Sequence, residues 1–384
     1  MTLRNTPLRW GAVSQLLHWL LVALIAIQAT LGLRGLLLPI GVEKLAVLAR
    51  HKSVGLTILG LATLRLLWRW LNPIPPLPRN LKPHERLLAH GTHAALYGLL
   101  VALPLTGWIM SSARGFSVSW FGLFQLPDLV PKSEPLYRAM VTTHGVLAAS
   151  LAVIVALHVA AALKHHFLLK DDTLRRMLPF GRITPGAWTA SPIAALVAAL
   201  IAAPPARAAN APAPAPSDGA SYGLLAAQSS LTYTFIQAGA RDRGRFRAFA
   251  VNFDPAAGRL DVVIDVRSLD TGDPQRDGLL GGSDFLDVAQ FPQARFTATR
   301  IEKTAVGYRA SGTLTLRGVS RAVTVPFTWR IAALQGSPVG YLAGEMTLRR
   351  LDFGVGQGQW HDTEWVGNEV TVGYSLVLTP PAKR

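Results

Sequence analysis

Apolar residues are distributed differently in the two halves of the chain. The first half contains four apolar runs of about twenty residues or more, the length that a helix needs to cross a bilayer. After about residue 221, apolar and polar residues alternate in short stretches such as RLDVVIDVRSLD, AVTVPFTWRI and EVTVGYSLVL. Alternation with period two is typical of strands with one buried face. The pattern predicts two domains: an all-α transmembrane four-helix bundle followed by an all-β antiparallel barrel or sandwich.

The predicted spans run from about Val13 to Leu33, from near His51 to Leu71, from about Leu88 to Met110, and from Val141 to Phe167. The first span is too long for a signal-peptide core and ends without a small-residue cleavage site, so we expect it to be retained. In the third span, Pro104 is expected to produce a kink.

A shorter apolar segment joins the two halves. Its basic flank, short apolar core and Ala206-Arg207-Ala208 pattern are typical of an internal signal sequence or of a short fifth span, and an Ala/Pro-rich linker follows. Both alternatives carry the second half across the membrane, and the sequence leaves open whether the chain is cleaved at Ala208. We therefore divide the chain into residues 1–182, 183–220 and 221–384.

In the second half, Gly-rich turns separate the alternating stretches and no helical period interrupts them. Pro326 lies inside one stretch, which predicts an edge or a bulge at that point because proline cannot donate to the ladder. Several aromatic side chains are candidates to line or fill the barrel: Phe285, Phe291, Phe296, Phe327 and Trp329.

The net charge of +16 raises the question of a nucleic-acid partner. The sequence contains no nucleic-acid motif, and membrane topology and anionic headgroups explain the Lys and Arg beside the spans. These basic residues are more numerous on the side that carries Arg4 and Arg9. We therefore expect a membrane protein with a cytoplasmic N-terminus, a second half on the opposite side of the membrane and no nucleic-acid partner.

The chain has no cysteine and ten histidines, so histidines are the leading candidates for metal ligation. His144 and His158 share the fourth span; fourteen residues bring them to within roughly 40° of one helix face and separate them by about 21 Å. In the predicted topology, His18 and His158 lie at one membrane depth. His51 and His144 lie at the other, and each opens its span. The pairs His18/His158 and His51/His144 predict two bis-histidine haem b sites.

The other polar residues of the spans leave more than one interpretation. His90 and His93 are either interfacial or support the haem ligands from behind, and His165 and His166 are expected to be solvated or to face headgroups. Arg65 and Arg69 are membrane anchors, partners of haem propionates, or both.

The residues around these histidines resemble the bacterial di-haem cytochrome b561 family over about residues 5 to 180. The matching stretches are LHWLL, HKSVGLTILGLATLRLLWR, AHGTHAALYGLLVALPLTGW and HGVLAASLAVIVALHVAAALKHHF. The resemblance implies a four-helix inner-membrane protein whose two b haems are bound by His18, His51, His144 and His158. It also implies electron exchange with the quinone pool, and superoxide oxidation is one activity associated with the family.

Residues 222 to 379 resemble the YceI family, which implies a periplasmic lipocalin-like barrel that holds an isoprenoid chain such as that of a quinone. The resemblance is carried by VRSLDTGDPQRDGLLGGSDFLDVAQFPQARFTATRI, GTLTLRGVSRAVTVPF and LRRLDFGVGQGQWHDTEWVGNEVTVGYSL. The family usually opens with a histidine-serine pair and a further histidine, where this chain has QSSLTYTFIQAGARDRGRF. That departure concerns the recognition of a polar head group.

Two functions follow. In the first, the chain is a quinone-linked membrane oxidoreductase with a tethered isoprenoid-binding barrel, and a periplasmic redox partner is a further expectation. In the second, the barrel is a periplasmic isoprenoid carrier or sensor, and the cytochrome is its anchor. The sequence leaves open the electron donor, the direction of transfer, the lipid and the oligomeric state.

Overall fold

The computed structural model describes residues 2–6, 9–77, 81–178 and 222–380. The chain forms two compact units, Met1–Ala202 and Ala203–Arg384. The predicted fifth apolar segment and its linker, with Ala208, lie outside the described residues.

The first unit consists of long helices. These are α1 (Ala12–Leu37), α2 (Val42–Trp70), α3 (Pro83–Arg114) and α4 (Glu134–Leu163), which continues into a π-helical turn at Lys164–Leu168. All four are long and apolar enough to cross a membrane. A short hairpin of β1 (Val118–Trp120) and β2 (Phe124–Leu126) joins α3 to α4. The predicted all-α membrane part is confirmed.

Three helices begin several residues earlier than predicted. The second starts at Val42 rather than near His51, the third at Pro83 rather than Leu88, and the fourth at Glu134 rather than Val141. The added turns are charged, so they lack the hydropathy of a span but keep the propensity of a helix. Consequently His51 and His144 lie about three turns inside their helices, and the expectation that they open their spans was wrong.

Neighbouring helices pack in sequence order, α1 on α2, α2 on α3 and α3 on α4. Leu21, Val54 and Ile58 form a buried cluster between the first two. Three side chains in and just before the first turns of α1 also donate to backbone carbonyls of the segment after α4: Arg9 to Leu178 at 2.9 Å, Gln15 to Arg176 at 3.1 Å and Trp19 to Met177 at 2.9 Å. These bonds tie the chain after α4 to the first turns of α1.

The second unit is an antiparallel barrel. Its strands are β3 (Tyr222–Leu224), β4 (Ser230–Gln237), β5 (Ala240–Phe246), β6 (Phe249–Asp254), β7 (Arg259–Asp265), β8 (Leu269–Asp270), β9 (Gln293–Thr304), β10 (Gly307–Leu316), β11 (Val319–Leu334), β12 (Ser337–Arg349) and β13 (Val366–Thr379). Only Arg247 and Ala248 separate β5 from β6, so these two count as one strand. The barrel then has eight long strands. Closure comes from β13, which pairs with both β12 and β4. The predicted all-β antiparallel barrel is confirmed.

A short helix, α5 (Pro274–Gly281), interrupts the strands, although the sequence showed no helical period there. It is only eight residues long, too short for an amphipathic period to be recognised. Its start does follow helix rules: Asp273 accepts hydrogen bonds from the backbone N–H groups of Gln275 and Arg276, and Pro274 occupies the first turn. The sequence feature that marks α5 is therefore its N-terminal capping and not an apolar period.

The strand that contains Pro326 is unpaired on one side at that residue. Pro326 lies opposite Arg309 of β10, whereas the pairing of β11 with β12 begins only at Thr328. The missing N–H of proline therefore leaves no ladder bond unmade. The Pro326 carbonyl instead accepts a hydrogen bond from the hydroxyl of Tyr374.

Candidate functional site

The helical unit brings the four candidate haem ligands together as two pairs. The ring centroids of His18 and His158 are 6.4 Å apart, with the ring planes at 79°. Those of His51 and His144 are also 6.4 Å apart, at 74°. All four imidazoles are half-buried. Each pair joins α4 to a helix of the α1–α2 hairpin.

The spacing of both pairs fits a metal ion bound between two imidazoles. An ion about 2 Å from one nitrogen of each ring, on opposite sides, would separate the ring centres by roughly 6.3 Å. His93 also meets His158, but at a shorter centroid distance of 5.5 Å. The residues therefore fit a haem iron at His18/His158 and at His51/His144.

The nitrogen that His51 presents is set by its hydrogen bonds. Its Nδ1 lies 3.2 Å from the backbone carbonyl oxygen of Gln28. Because a carbonyl can only accept, Nδ1 carries the proton, and Nε2 keeps a lone pair. The side-chain Nε2 of Gln28 is a donor and lies 3.2 Å from Nε2 of His51. The side-chain Oε1 of Gln28 is buried without a hydrogen-bond partner among the described residues. His51 is thus held in the tautomer that a metal requires.

His144 is oriented in the same way by a different group. Its Nδ1 lies 3.1 Å from the hydroxyl oxygen of Thr106 on α3. That hydroxyl donates its own hydrogen to the carbonyl of Leu103 at 2.9 Å, so its lone pair is free to accept from Nδ1. Nε2 of His144 is therefore left for coordination, and Nε2 of His51 becomes available when the side-chain amide of Gln28 moves away.

Glycines make room for these two rings. A Cβ atom on Gly32 would lie 3.0 Å from Cε1 of His51, and one on Gly107 would lie 3.2 Å from Cε1 of His144. Both distances are shorter than ordinary van der Waals contact. Small residues at these points allow the imidazoles to pack directly against the backbone of a neighbouring helix.

The four supporting candidates are placed differently from one another. His93 packs against His158, whereas His90 is exposed. Arg65 donates to the backbone carbonyl of Ser14 at 2.6 Å. The guanidinium of Arg69 lies over the rings of Trp10 and Tyr97, at 5.8 and 5.9 Å. Of the four, His93 is the one in ring contact with a member of a histidine pair.

The two histidines after α4 are half-buried rather than exposed. Nδ1 of His165 lies 2.5 Å from Oδ2 of Asp171, and Oδ1 of Asp171 accepts a hydrogen bond from the backbone N–H of Thr173. These hydrogen bonds hold the pKa of Asp171 below its ordinary value, against the opposing effect of its partial burial. The pair fixes the turn that follows the helix.

In the barrel, three of the five aromatic candidates lie on strands. Phe296, Phe327 and Trp329 belong to β9 and β11, and the first two are buried. The other two lie in loops, where Phe285 packs against Trp360 with ring centroids 5.2 Å apart and Phe291 lies against the turn at Gly318.

An aromatic cluster that the sequence did not indicate surrounds Trp329. Tyr222 and Phe253 lie 5.2 and 4.8 Å from its ring centroid. Its ring also occupies the space over Gly340, where a Cβ atom would come within 1.8 Å of it. These contacts join strands far apart in sequence, so period-two patterns alone could not identify them.

Gln28 and Thr106 were also missed. Each is a polar residue inside an apolar run, which is a recognisable signal because polar groups in a span are costly and usually have a partner. Their partners lie on other helices, so the sequence could mark the residues but not the histidines they contact.

A membrane-spanning four-helix bundle with two facing histidine pairs defines a protein of the b-type cytochrome class. The family model described as prokaryotic cytochrome b561 matches residues 9–180, and the chain belongs to this family. The YceI-like domain model matches residues 222–378. The protein is therefore a cytochrome b561 family member fused to a YceI-like domain.

Two curated relatives match the helical part. Cytochrome b561 homolog 2 of Escherichia coli is 38% identical over 182 residues, which are 46% of this chain and 95% of that protein. The probable superoxide oxidase CybB of Yersinia pestis is 35% identical over 164 residues, covering 42% of this chain and 92% of that protein. Among solved structures, Burkholderia cenocepacia BcnA is 33% identical, covering 41% of this chain and 99% of its own, with a TM-score of 0.38.

Proposed function

We propose that the helical unit is a di-haem electron-transfer protein, with one haem b held by His18 and His158 and a second by His51 and His144. The observation that carries this proposal is that two pairs have the same 6.4 Å ring separation. In the second pair, Nδ1 of each ring also has an acceptor, so Nε2 is the nitrogen that carries the lone pair. A bound haem b supplies a reversible one-electron iron couple.

The chain's own residues position and insulate these sites. α4 carries one ligand of each pair, fourteen residues apart, so its helical rise sets their depths about 21 Å apart. Gln28 and Thr106 hold the two imidazoles at one depth in a fixed tautomer. His93 packs behind His158 and restricts its rotation.

The partner that we propose is the quinone pool. A lipid-soluble electron carrier reaches a site between membrane helices without leaving the bilayer, and a relative of this family is named a probable superoxide oxidase. We further propose that the N-terminus is cytoplasmic and that the barrel is periplasmic. The basic residues beside the spans are more numerous on the side of the membrane that carries the N-terminus in the predicted topology.

For the barrel, we propose that it holds an isoprenoid chain. Inward side chains in the middle of the barrel, such as Val262, Ile264, Val323 and Val372, are apolar and only half-buried. An apolar chain packed against them would gain about 0.8 kcal/mol for each buried CH₂ group. The lining candidates Phe296, Phe327 and Trp329 lie on strands of the same barrel.

The test is haem stoichiometry in the purified full-length protein. We expect two haems per chain in the unmodified protein, and loss of one site in His144→Ala and in His158→Ala. His84→Ala is the matched control, because His84 is an exposed histidine on the same bundle. Two haems retained in His144→Ala would refute the ligand assignment, and absence of b-type absorbance in the unmodified protein would refute the proposal as a whole.

The second function makes the barrel the main actor, as an isoprenoid carrier anchored by the helices. It is favoured by the closure of the barrel, which gives it an interior of its own. Transfer of a labelled prenyl quinone between vesicles separates the two. A carrier would keep full transfer in the His51→Ala/His144→Ala variant, whereas the electron-transfer function requires quinol-dependent haem reduction that this variant lacks.

A further inference from the structure

The loops at one end of the barrel carry no charged residue. The register of the sheet brings this end together, because Leu378 pairs with both Gly340 of β12 and Leu224 of β3, and β3 pairs in turn with the end of β6. The connections that meet there are residues 225–229, 255–258, 305–306 and 335–336, with the sequences LAAQS, PAAG, AV and QG. We call this end of the barrel the uncharged end.

The connections at the opposite end are acidic. Residues 271–292 and 350–365 lie there, next to the ends of β9 and β13 that pair with Asp265 and Gln237. Their arginines, Arg276 and Arg350, are buried. Their acidic residues are Asp273, Asp277, Asp284, Asp287, Asp352, Asp362 and Glu364. The barrel is therefore polarised along its axis, and we call this second end the acidic end.

Two large apolar side chains are exposed at the uncharged end. Val306, in the turn between β9 and β10, is 88% exposed, which exceeds the exposure of the large apolar side chains on the four membrane-spanning helices. Ile331 is 61% exposed. It lies where β11 runs past the start of β10 and pairs only with β12. Apolar side chains that project this far from a barrel are suited to a contact that removes them from water.

Basic side chains lie directly behind these apolar tips. Lys303, Arg309 and Arg330 are exposed, and each lies within a few residues of Val306 or Ile331 along the chain. The acidic groups nearby are already engaged. They are Asp254, which accepts from the backbone N–H groups of Ala256 and Ala257 at 3.0 and 2.9 Å, and Glu302, which pairs with Arg300 at 2.5 Å. The uncharged end thus combines apolar tips with a basic border.

The chain also enters the barrel at the uncharged end. Tyr222 begins β3 and pairs with Phe253, next to the 255–258 turn. The residues before it lead back to the helical unit, whose four helices are long and apolar enough to cross a membrane. The attachment point therefore lies at the uncharged end and not at the acidic end.

We propose that the uncharged end of the barrel docks onto an anionic lipid surface. Val306 and Ile331 enter the headgroup region, and Lys303, Arg309 and Arg330 contact lipid phosphates. Burial of apolar tips and attraction of basic side chains are the two contributions that hold a protein surface at a membrane interface. The acidic end is repelled by the same headgroups and faces water. This inference concerns the outer surface of the barrel and depends neither on its ligand nor on the haem sites.

The experiment uses the full-length protein in lipid vesicles. Because the chain has no cysteine, Val306→Cys accepts a single nitroxide label at the uncharged end. Thr363→Cys is the matched control, at an exposed position in the loop before β13 at the acidic end. Spin relaxation by dissolved oxygen and by a water-soluble nickel chelate reports the surroundings of each label. A label in lipid is reached by oxygen, a label in water is reached by nickel, and a label packed against protein is reached by neither.

In vesicles of equal parts phosphatidylcholine and phosphatidylglycerol, we expect oxygen rather than nickel to reach the Val306→Cys label, and nickel to reach the Thr363→Cys label. Adding Lys303→Glu/Arg330→Glu should lower the ratio of docked to undocked barrel about thirtyfold. High salt and vesicles of phosphatidylcholine alone should lower it too. Arg243→Glu/Arg349→Glu makes the same charge change at exposed arginines toward the acidic end, and it should leave docking unchanged.

Nickel access at Val306→Cys equal to that at Thr363→Cys would overturn the docking. A Val306→Cys label that neither relaxant reaches would place a protein partner, such as a second copy of the chain, at this end and would overturn the lipid assignment. Equal docking in the two double variants would refute the contact of the basic residues with lipid phosphates.

Discussion

The hydroxyl of Thr106 on α3 lies 3.1 Å from Nδ1 of His144 on α4. This contact orients the imidazole from behind, because the hydroxyl's own hydrogen is donated to Leu103. Groups that hold a metal-binding histidine in this way commonly change metal affinity 10- to 100-fold when they are lost. The contact therefore gives a direct test of the His51/His144 site.

Thr106→Val is expected to weaken haem retention at His51/His144 by about tenfold or more, because Nδ1 of His144 loses the Thr106 hydroxyl as a hydrogen-bond acceptor. Thr106→Ser keeps a hydroxyl and should retain haem. The measurement is the rate at which each protein transfers haem to an excess of apomyoglobin. Thr142→Val is the control, since Thr142 is an exposed threonine of α4 that bonds its own helix. Equal loss rates in Thr106→Val and Thr142→Val would contradict the prediction.

Gln28→Leu is expected to leave haem content unchanged. His51 is oriented by the hydrogen bond that its Nδ1 donates to the backbone carbonyl of Gln28, and the substitution keeps that carbonyl. The side-chain amide contacts Nε2, the atom assigned to the iron, so it must move away when that nitrogen is used. Haem content by pyridine haemochrome assay checks this, and loss of one haem in Gln28→Leu would show that the side chain itself supports the site.

Asp270 should make the stability of the barrel fall in acid. Its carboxylate accepts from Nε of Arg245 at 2.8 Å, from Nε of Arg247 at 2.9 Å and from the backbone N–H of Gly272 at 2.9 Å. Partial burial acts to raise the pKa of Asp270, but these hydrogen bonds outweigh it and hold the pKa below its ordinary value of 3.8. The stabilisation is therefore present above about pH 4 and lost as the pH falls through the folded-state pKa.

Asp270→Asn should remove about 2 kcal/mol of that stabilisation at neutral pH. The free energy of unfolding should then fall less steeply as the pH is lowered below about 4. The measurement is urea unfolding of the full chain followed by near-ultraviolet circular dichroism between pH 2 and 7. Glu369→Gln, at an exposed position on β13, is the control. If the free energy of unfolding of Asp270→Asn falls as steeply in acid as that of the unmodified protein, the pH dependence belongs to other carboxylates.

Arg350 holds together the loop before β13. Its buried guanidinium donates to four backbone carbonyls: Gly367 at 2.9 Å, Val355 at 3.0 Å, Asp362 at 3.3 Å and Val366 at 2.8 Å. Arg350→Met leaves these oxygens without their donor, so we expect a loss of about 3 kcal/mol or more in the free energy of unfolding. Arg349→Met, at an exposed neighbour, should change it by less than about 0.5 kcal/mol. Similar losses in the two variants would contradict this role.

Much of the architecture was predictable because it depends on local periodicity. Apolar runs of span length and period-two alternation indicated the bundle and the barrel, since each pattern reports which faces of an element leave water. Element ends were less predictable. Charged turns extended α2 and α4 beyond the apolar runs, and α5 was too short to show a period.

The sequence by itself determined that His18, His51, His144 and His158 sort into two depth-matched pairs, because helical rise and membrane length set depth without knowledge of packing. Only the tertiary structure decided which atoms meet. The 6.4 Å ring separations and the acceptors for His51 and His144 all join separate helices. Such contacts depend on the rotation and approach of neighbouring elements, which side-chain packing sets and local pattern does not.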